Sequence, residues 1–210
     1  ILDFDNLTEE NIYVLESPIL TNSQFKKFKN LFKKKIRILD CTFDINSSLK
    51  ERIEKIKEET EIAVREGRNN LILSDKKIHT SRASIPSVLS VGAVHSHLVK
   101  LGLRGYCSIN VESSDVLDTH SFVVLIGVGA TTINPYLAID SIYQRYEKKL
   151  FSDSNFEISV AKFKKSIDDG LLKIMSKMGI SVISSYRGGC NFEAVGLSRA
   201  IVSDYFPGMS

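Results

Sequence analysis

Cysteine is scarce and scattered in this chain. Cys41, Cys107 and Cys190 supply neither an even disulfide framework nor a close pair of metal or cluster ligands. A disulfide-stapled secreted scaffold is therefore excluded, and a cytoplasmic setting is the expectation. Long apolar runs are missing too. The longest, Phe122 to Gly129, falls far short of the roughly 20 residues that cross a bilayer, and no signal-like apolar region opens the chain. No membrane partner is expected. A charge excess of one sign is also lacking: Lys plus Arg number 28 and Asp plus Glu 25, and the resulting +3 is too small and dispersed to mark a nucleic-acid surface. Internal repeats and low-complexity segments are absent, which excludes solenoids and flexible linkers.

What is present is a chain of 210 residues, 43% hydrophobic, enough for one sizeable domain with a proper core. Phe25, Phe28, Leu31 and Phe32 recur at helical spacing in a Lys-rich stretch, with Thr21, Asn22 and Ser23 as available caps. Ile36 to Leu39, closed by Asp40, reads as a short buried strand. A helix follows from Ser47 or Ser48, with Leu49, Ile53, Ile56, Ile62 and Ala63 as its apolar stripe and Gly67 as its stop. Leu71 to Leu73 reads as a second strand ended by Ser74 and Asp75, with a polar loop through Ser84. Pro86 suits the first turn of a helix through Val88, Val91, Val94 and Leu98.

Tyr106 to Val111 reads as a third strand. Between Asp118 and Ala130 periodicity alone does not separate buried helix from strand, and helix is the preferred reading. Asn134-Pro135 opens a further helix, Phe156 to Met178 another, Ile180 to Ser184 is a fourth strand, and short helices close the chain between Phe192 and Phe206. Short buried strands alternating with longer helices are the signature of βα units around a parallel sheet, so the fold class is α/β. The chain begins at Ile1 without a methionine and stops just after Pro207-Gly208, so both ends are expected to be cuts in a longer polypeptide.

Several constellations invite chemistry. His95 and His97 are two apart, about 200° around a helix, so one helix cannot offer both to a single ion, and structural roles are preferred for them as for His79 and His120. Gly127-Val128-Gly129 begins a dinucleotide fingerprint, but Thr132 stands where the third glycine belongs, which favours a tight turn or close packing. Cys190 has no histidine near it in sequence and reads as a buried or half-buried thiol. Tyr186-Arg187-Gly188-Gly189 is a candidate anion contact: glycines between a strand and a helix expose backbone N–H groups beside a guanidinium.

One stretch is more specific. Gly170-Leu171-Leu172-Lys173-Ile174-Met175-Ser176-Lys177-Met178-Gly179-Ile180-Ser181, then Ser185-Tyr186-Arg187-Gly188 and Phe192-Glu193-Ala194-Val195-Gly196-Leu197, closely resembles the end of the central domain of glutamate synthase large subunits. Glu16-Ser17-Pro18, Leu71 to Asp75, Ile85-Pro86, Gly92 to His95 and Ile133 to Ala138 fall in the order of that family, so the likeness covers nearly the whole chain. Departures are Lys76 in place of an arginine, Ser96 in place of a histidine, and Gly189-Cys190-Asn191 in place of Ala-Gln and an apolar residue.

The resemblance implies a rudimentary or incomplete (β/α)8-like barrel, with residues 1–210 as the C-terminal major part of the central domain and 198–210 as the connection toward an FMN-binding domain. A complete barrel takes about 250 residues. It also implies a parent enzyme that makes L-glutamate from glutamine and 2-oxoglutarate, with FMN, an iron–sulfur cluster and electrons from NADPH or ferredoxin, all held outside this segment. Its partners would be the glutaminase and FMN domains of the same polypeptide and a small electron-donating subunit. No catalytic, cofactor or metal residue is expected here. Ser74, Asp75, Asn134 and Tyr136, polar residues at element ends, are the candidates to face an ammonia path.

Overall fold

The structure is a computed structural model that describes residues 14–150, 155–189 and 191–209; Cys190, singled out above, lies outside the described residues. Its centre is a sheet of four parallel strands, β1 (Ile36–Asp40), β3 (Asn70–Ser74), β5 (Ser108–Glu112) and β6 (Thr132–Asn134), in the order β1-β3-β5-β6. A small antiparallel pair, β2 (Thr42–Asp44) with β4 (Arg82–Ser84), follows the ends of β1 and β3. Parallel strands laid down in chain order, with no reversal, wind in one sense as barrel strands do, and the described sheet stays open. This is the expected α/β class in its incomplete form. Beyond β6 the sheet gains one more parallel bridge, Ile19 to Ile133.

The helices are placed by their apolar stripes. α2 (Leu49–Arg65) starts at Ser48, whose side chain accepts from the Glu51 N–H, and sends Ile53, Ile56 and Ala63 inward. α3 (Ser87–Lys100) and α4 (Thr119–Gly127, capped by Asp118) add Val91, Val94, Leu98, Phe122 and Ile126 to the same core. These pack on one face of the sheet, against Leu39, Leu71, Leu73, Ile109, Val111 and Ile133. Fully burying each such side chain is worth roughly 1.5–3 kcal/mol. α1 (Asn22–Leu31) covers the opposite face: Thr21 and Gln24 form a reciprocal capping box, and Phe25 and Phe28 sit with Leu20 on Ile72. α5 (Tyr136–Glu147) and the 22-residue α6 (Phe156–Lys177) flank this body, and α7 (Ile183–Tyr186) and α8 (Arg199–Tyr205) close it.

Several expectations are corrected. The fourth strand is β6; Ile180 to Ser184 instead runs into α7, with Ile180 and Ile183 packed on the core and Val182 52% exposed, no strand lying beside it among the described residues. Ile62, 58% exposed, leaves the α2 stripe, and Leu31, 62% exposed, leaves that of α1. The supposed loop before Ser84 contains β4, because its backbone groups pair with β2. Pro86 stands one residue ahead of α3, in the capping position, and the third strand begins at Ser108 after a 3-10 turn at Arg104–Tyr106.

Candidate functional site

Side chains alternate across a strand, so the sheet register sorts them into two faces. One face is apolar. The other carries rows that run from β1 to β6, and the last row is Asp40, Ser74, Glu112 and Asn134. This row lies at the carboxyl ends of the strands, where parallel α/β folds place their working groups. The preceding row also turns polar, since Thr132 donates to the Asn110 side chain at 2.7 Å and Asn110 to the Leu71 carbonyl at 3.1 Å. Ser74, Asn110, Glu112, Thr132 and Asn134 are all buried.

Glu112 is the hub. Its carboxylate accepts from Ser74 Oγ at 2.8 Å and pairs with Lys29 Nζ at 2.9 Å, from α1, and Lys76 Nζ at 3.1 Å, from the loop after β3. Burial alone would raise this carboxyl; the hydrogen bonds from Lys29 and Ser74 and the Lys29 charge hold it below its ordinary value. Beside it Asp75, buried, accepts with Oδ2 from the Ser114 amide at 2.8 Å and hydroxyl at 2.7 Å, and its carboxylate also faces the Tyr136 hydroxyl. Burial and then the Asp75 charge push the Tyr136 phenol above its ordinary value, and Lys76 Nζ lies 5.1 Å from the centre of the Tyr136 ring. Asn134 Nδ2 donates to the Leu20 carbonyl and to Asn22 Oδ1, both at 2.9 Å, fastening the start of α1 over the polar face.

The four path candidates therefore converge on one edge of the sheet. Ser74 and Asp75 end β3, Asn134 ends β6 and Tyr136 opens α5. Sequence reasoning missed Glu112 and Lys29. Glu112 directly follows the apolar run Ile109 to Val111, so the strand-end rule that selected Ser74 would have found it; Lys29 is hidden in a Lys-rich helix and is distinguished only by its distant partner.

The anion candidates do not converge. The Tyr186 hydroxyl is buried and donates to the Val123 carbonyl at 3.2 Å. The Arg187 and Gly189 amides are used inside the turn, donating to the Ile183 and Tyr186 carbonyls at 3.0 and 3.2 Å. Gly188, at φ 70°, lies where a Cβ would stand 2.8 Å from His95 Cε1, so its lack of a side chain admits that ring. What remains for a ligand is the Arg187 side chain, whose buried Nε has no hydrogen-bond partner.

The histidines occupy separate settings. His95 Nδ1 accepts from Arg104 Nε at 3.1 Å, and burial followed by the Arg104 charge lowers its pKa to about 4. His97 Nε2 lies 3.4 Å from Glu61 instead. Gly127 abuts the Phe192 ring and Gly129 the His95 ring, which is the close packing expected of that segment and leaves no phosphate cradle. Cys41 is buried, with its pKa pushed up to about 12 by burial, and Cys107 is half-buried. Among the described residues no group of three or more His, Cys, Asp or Glu is placed to hold a metal ion, and no helix is long and apolar enough to cross a membrane.

Fold and site together define an α/β unit with an open parallel sheet, one apolar face, and a buried polar network at the strand carboxyl ends. The family model of the glutamate synthase central domain matches residues 2–198, and the chain belongs to that family. It is 50% identical over its whole length to the glutamate synthase [NADPH] large chain of Azospirillum brasilense, of which it covers 14%. It is 40% identical over 92% of its length to the corresponding large chain of Bacillus subtilis, and 38% identical to the ferredoxin-dependent glutamate synthase of Spinacia oleracea; each is covered to 13%. The chain thus spans about one seventh of the length of these relatives. Among solved structures, DHODH in complex with ferulenol from Eimeria tenella is 14% identical with a TM-score of 0.49, over 74% of this chain and 38% of that one.

Proposed function

We propose that this chain is the bridging segment of a glutamate synthase, making no bond itself and holding a glutaminase domain and an FMN-containing synthase domain of one longer polypeptide in register. The observation that carries this reading is identity of 50% along the entire chain to a large chain of which it covers only 14%. The parent would be a cytoplasmic oxidoreductase forming L-glutamate from glutamine and 2-oxoglutarate. Its FMN and iron–sulfur cluster would lie in other domains, and its electrons would come from a nicotinamide, through a small donor subunit, or from ferredoxin. Residues 198–210 would lead toward the FMN domain; α8 within them is anchored on α3, where Ser96 Oγ donates to the Tyr205 carbonyl at 3.0 Å.

The physical task is containment. Ammonia released into water is protonated and lost as a nucleophile, so two separated sites need a shielded connection. The edge formed by Ser74, Asp75, Asn134 and Tyr136 supports a wall for such a path, because it joins polar groups to burial under α1. Asp75, buried beside Ser114 and Tyr136, offers a carboxylate acceptor to a passing N–H donor. The purified chain should show neither flavin absorbance nor release of ammonia from glutamine. Either signal from the isolated chain would overturn the bridging role.

A second reading makes the Tyr186 to Gly189 turn an anion contact, and the unpartnered Arg187 Nε is the observation in its favour. Melting the chain with phosphate, FMN, glutamine or 2-oxoglutarate tests it, since a bound ligand raises Tm.

A further inference from the structure

Arg187 lines a cavity of about 420 Å³ between the start of the described chain and α6. Such a volume suits a small molecule. Its wall is chemically divided. Arg187 supplies a guanidinium, Glu16 and Asp168 supply carboxylates, and Leu171 and Met175 supply an apolar floor. Asp168 Oδ1 accepts from Ser17 Oγ at 2.7 Å, which fixes that carboxylate in the wall.

The opposite charges share the cavity without neutralising one another. Burial lowers the pKa of Arg187. Arg104, outside the cavity and already donating to His95, Cys107 and Gly129, is lowered by burial and also by the charge of Arg187, so one anionic group on Arg187 would answer its charge and its bare Nε. A cation and carboxylates lining one cavity match a ligand that carries both charges.

We propose that this cavity binds a small α-amino acid as its zwitterion, with the carboxylate on Arg187, the ammonium toward Asp168 and Glu16, and the side chain over Leu171 and Met175. The proposal rests on the anion-binding reading of Arg187 and is independent of the bridging role. It assigns a binding site, with no reaction attached.

A matched ligand series on the wild-type chain tests it without any variant. L-Norvaline carries both charges, pentanoate lacks the amine and butylamine lacks the carboxylate. In calorimetric titrations norvaline should bind at least tenfold more tightly than either, and should move the Arg187 Nε–Hε NMR signal. Arg187→Gln should weaken norvaline at least tenfold. Asp168→Asn, which keeps an acceptor for Ser17, should weaken norvaline and leave pentanoate unchanged. Far-UV circular dichroism confirms that each variant is folded. Pentanoate binding as tightly as norvaline overturns the zwitterion and leaves the anion reading standing; no binding of norvaline, pentanoate or phosphate overturns both.

Discussion

Replacing Glu112 by Gln removes the charge at the centre of the polar edge while keeping its shape. In the folded chain this carboxylate accepts from Ser74 at 2.8 Å and Lys29 at 2.9 Å and pairs with Lys76 at 3.1 Å, and its side chain is only 4% exposed. Hydrogen bonds to charged groups contribute about 1.5–3 kcal/mol each. The lysines are 30% and 49% exposed, so water takes over part of that loss, and the amide oxygen still accepts one bond. The expected destabilisation is about 1–3 kcal/mol, which for a domain of this size lowers Tm by about 3–9 °C.

The pH dependence follows from the direction of the Glu112 shift. A carboxyl whose folded pKa lies below its unfolded value of about 4.3 stabilises fully above that pH. That contribution fades as pH falls through the folded value. Thermal melts of wild type and Glu112→Gln should therefore differ at pH 7 and converge in acid. A double-mutant cycle with Lys29→Met should return a coupling of about 0.5–3 kcal/mol. Equal melting at pH 7, or a gap that persists undiminished into acid, would refute the reasoning.

Three further perturbations probe the surrounding frame. Gly92→Ala adds helix propensity worth about 1 kcal/mol, but its Cβ would stand 2.3 Å from Phe206 Cε1 and 3.0 Å from the Tyr205 carbonyl, and overpacking costs about 1–3 kcal/mol. Faster limited proteolysis around α8 is expected, and a tail that stays equally protected contradicts the packing. Tyr186→Phe strips the buried hydroxyl that donates to Val123 and should cost about 1 kcal/mol in chemical denaturation; an unchanged midpoint would show that the bond contributes nothing. His95 should remain neutral from pH 7 down to about 5, followed by its ring carbon shift, because its folded pKa is about 4. Its depressed value means that charging it opposes folding, so its effect appears as pH falls below about 6.5; titration near 6.5 in the folded chain would place the ring in water.

The long elements were legible because their signals repeat. α2 carries a cap at Ser48, buried Ile53, Ile56 and Ala63, and a stop at Gly67, each a separate physical cue that agrees with the others. β2, β4 and β6 span three residues each, too few for alternation to register, and their identity comes from partners distant in sequence. Ile180 to Ser184 failed for the converse reason: a β-branched run looks like a strand wherever no neighbour is known, and here nothing pairs with it among the described residues. The same division holds at the site. Ser74, Asp75, Asn134 and Tyr136 were reachable as polar residues at element ends, whereas the Lys29 pairing with Glu112 spans 83 residues and requires the fold. The turn at Arg187 was visible as a motif, but the cavity it shares with Glu16 and Asp168 was not.

The bridging account is tested most directly by stoichiometry in the longer glutamate synthase polypeptide that the proposal assigns to this chain. Tyr136→Ala opens the rim of the polar edge without touching any proposed catalytic group. Glutamine consumed and glutamate formed should then part: free ammonia appears in solution and the yield of glutamate from 2-oxoglutarate per glutamine hydrolysed falls, while flavin reduction and glutaminase rates hold. Unchanged stoichiometry, or loss of glutaminase or flavin chemistry with coupling intact, would contradict the account.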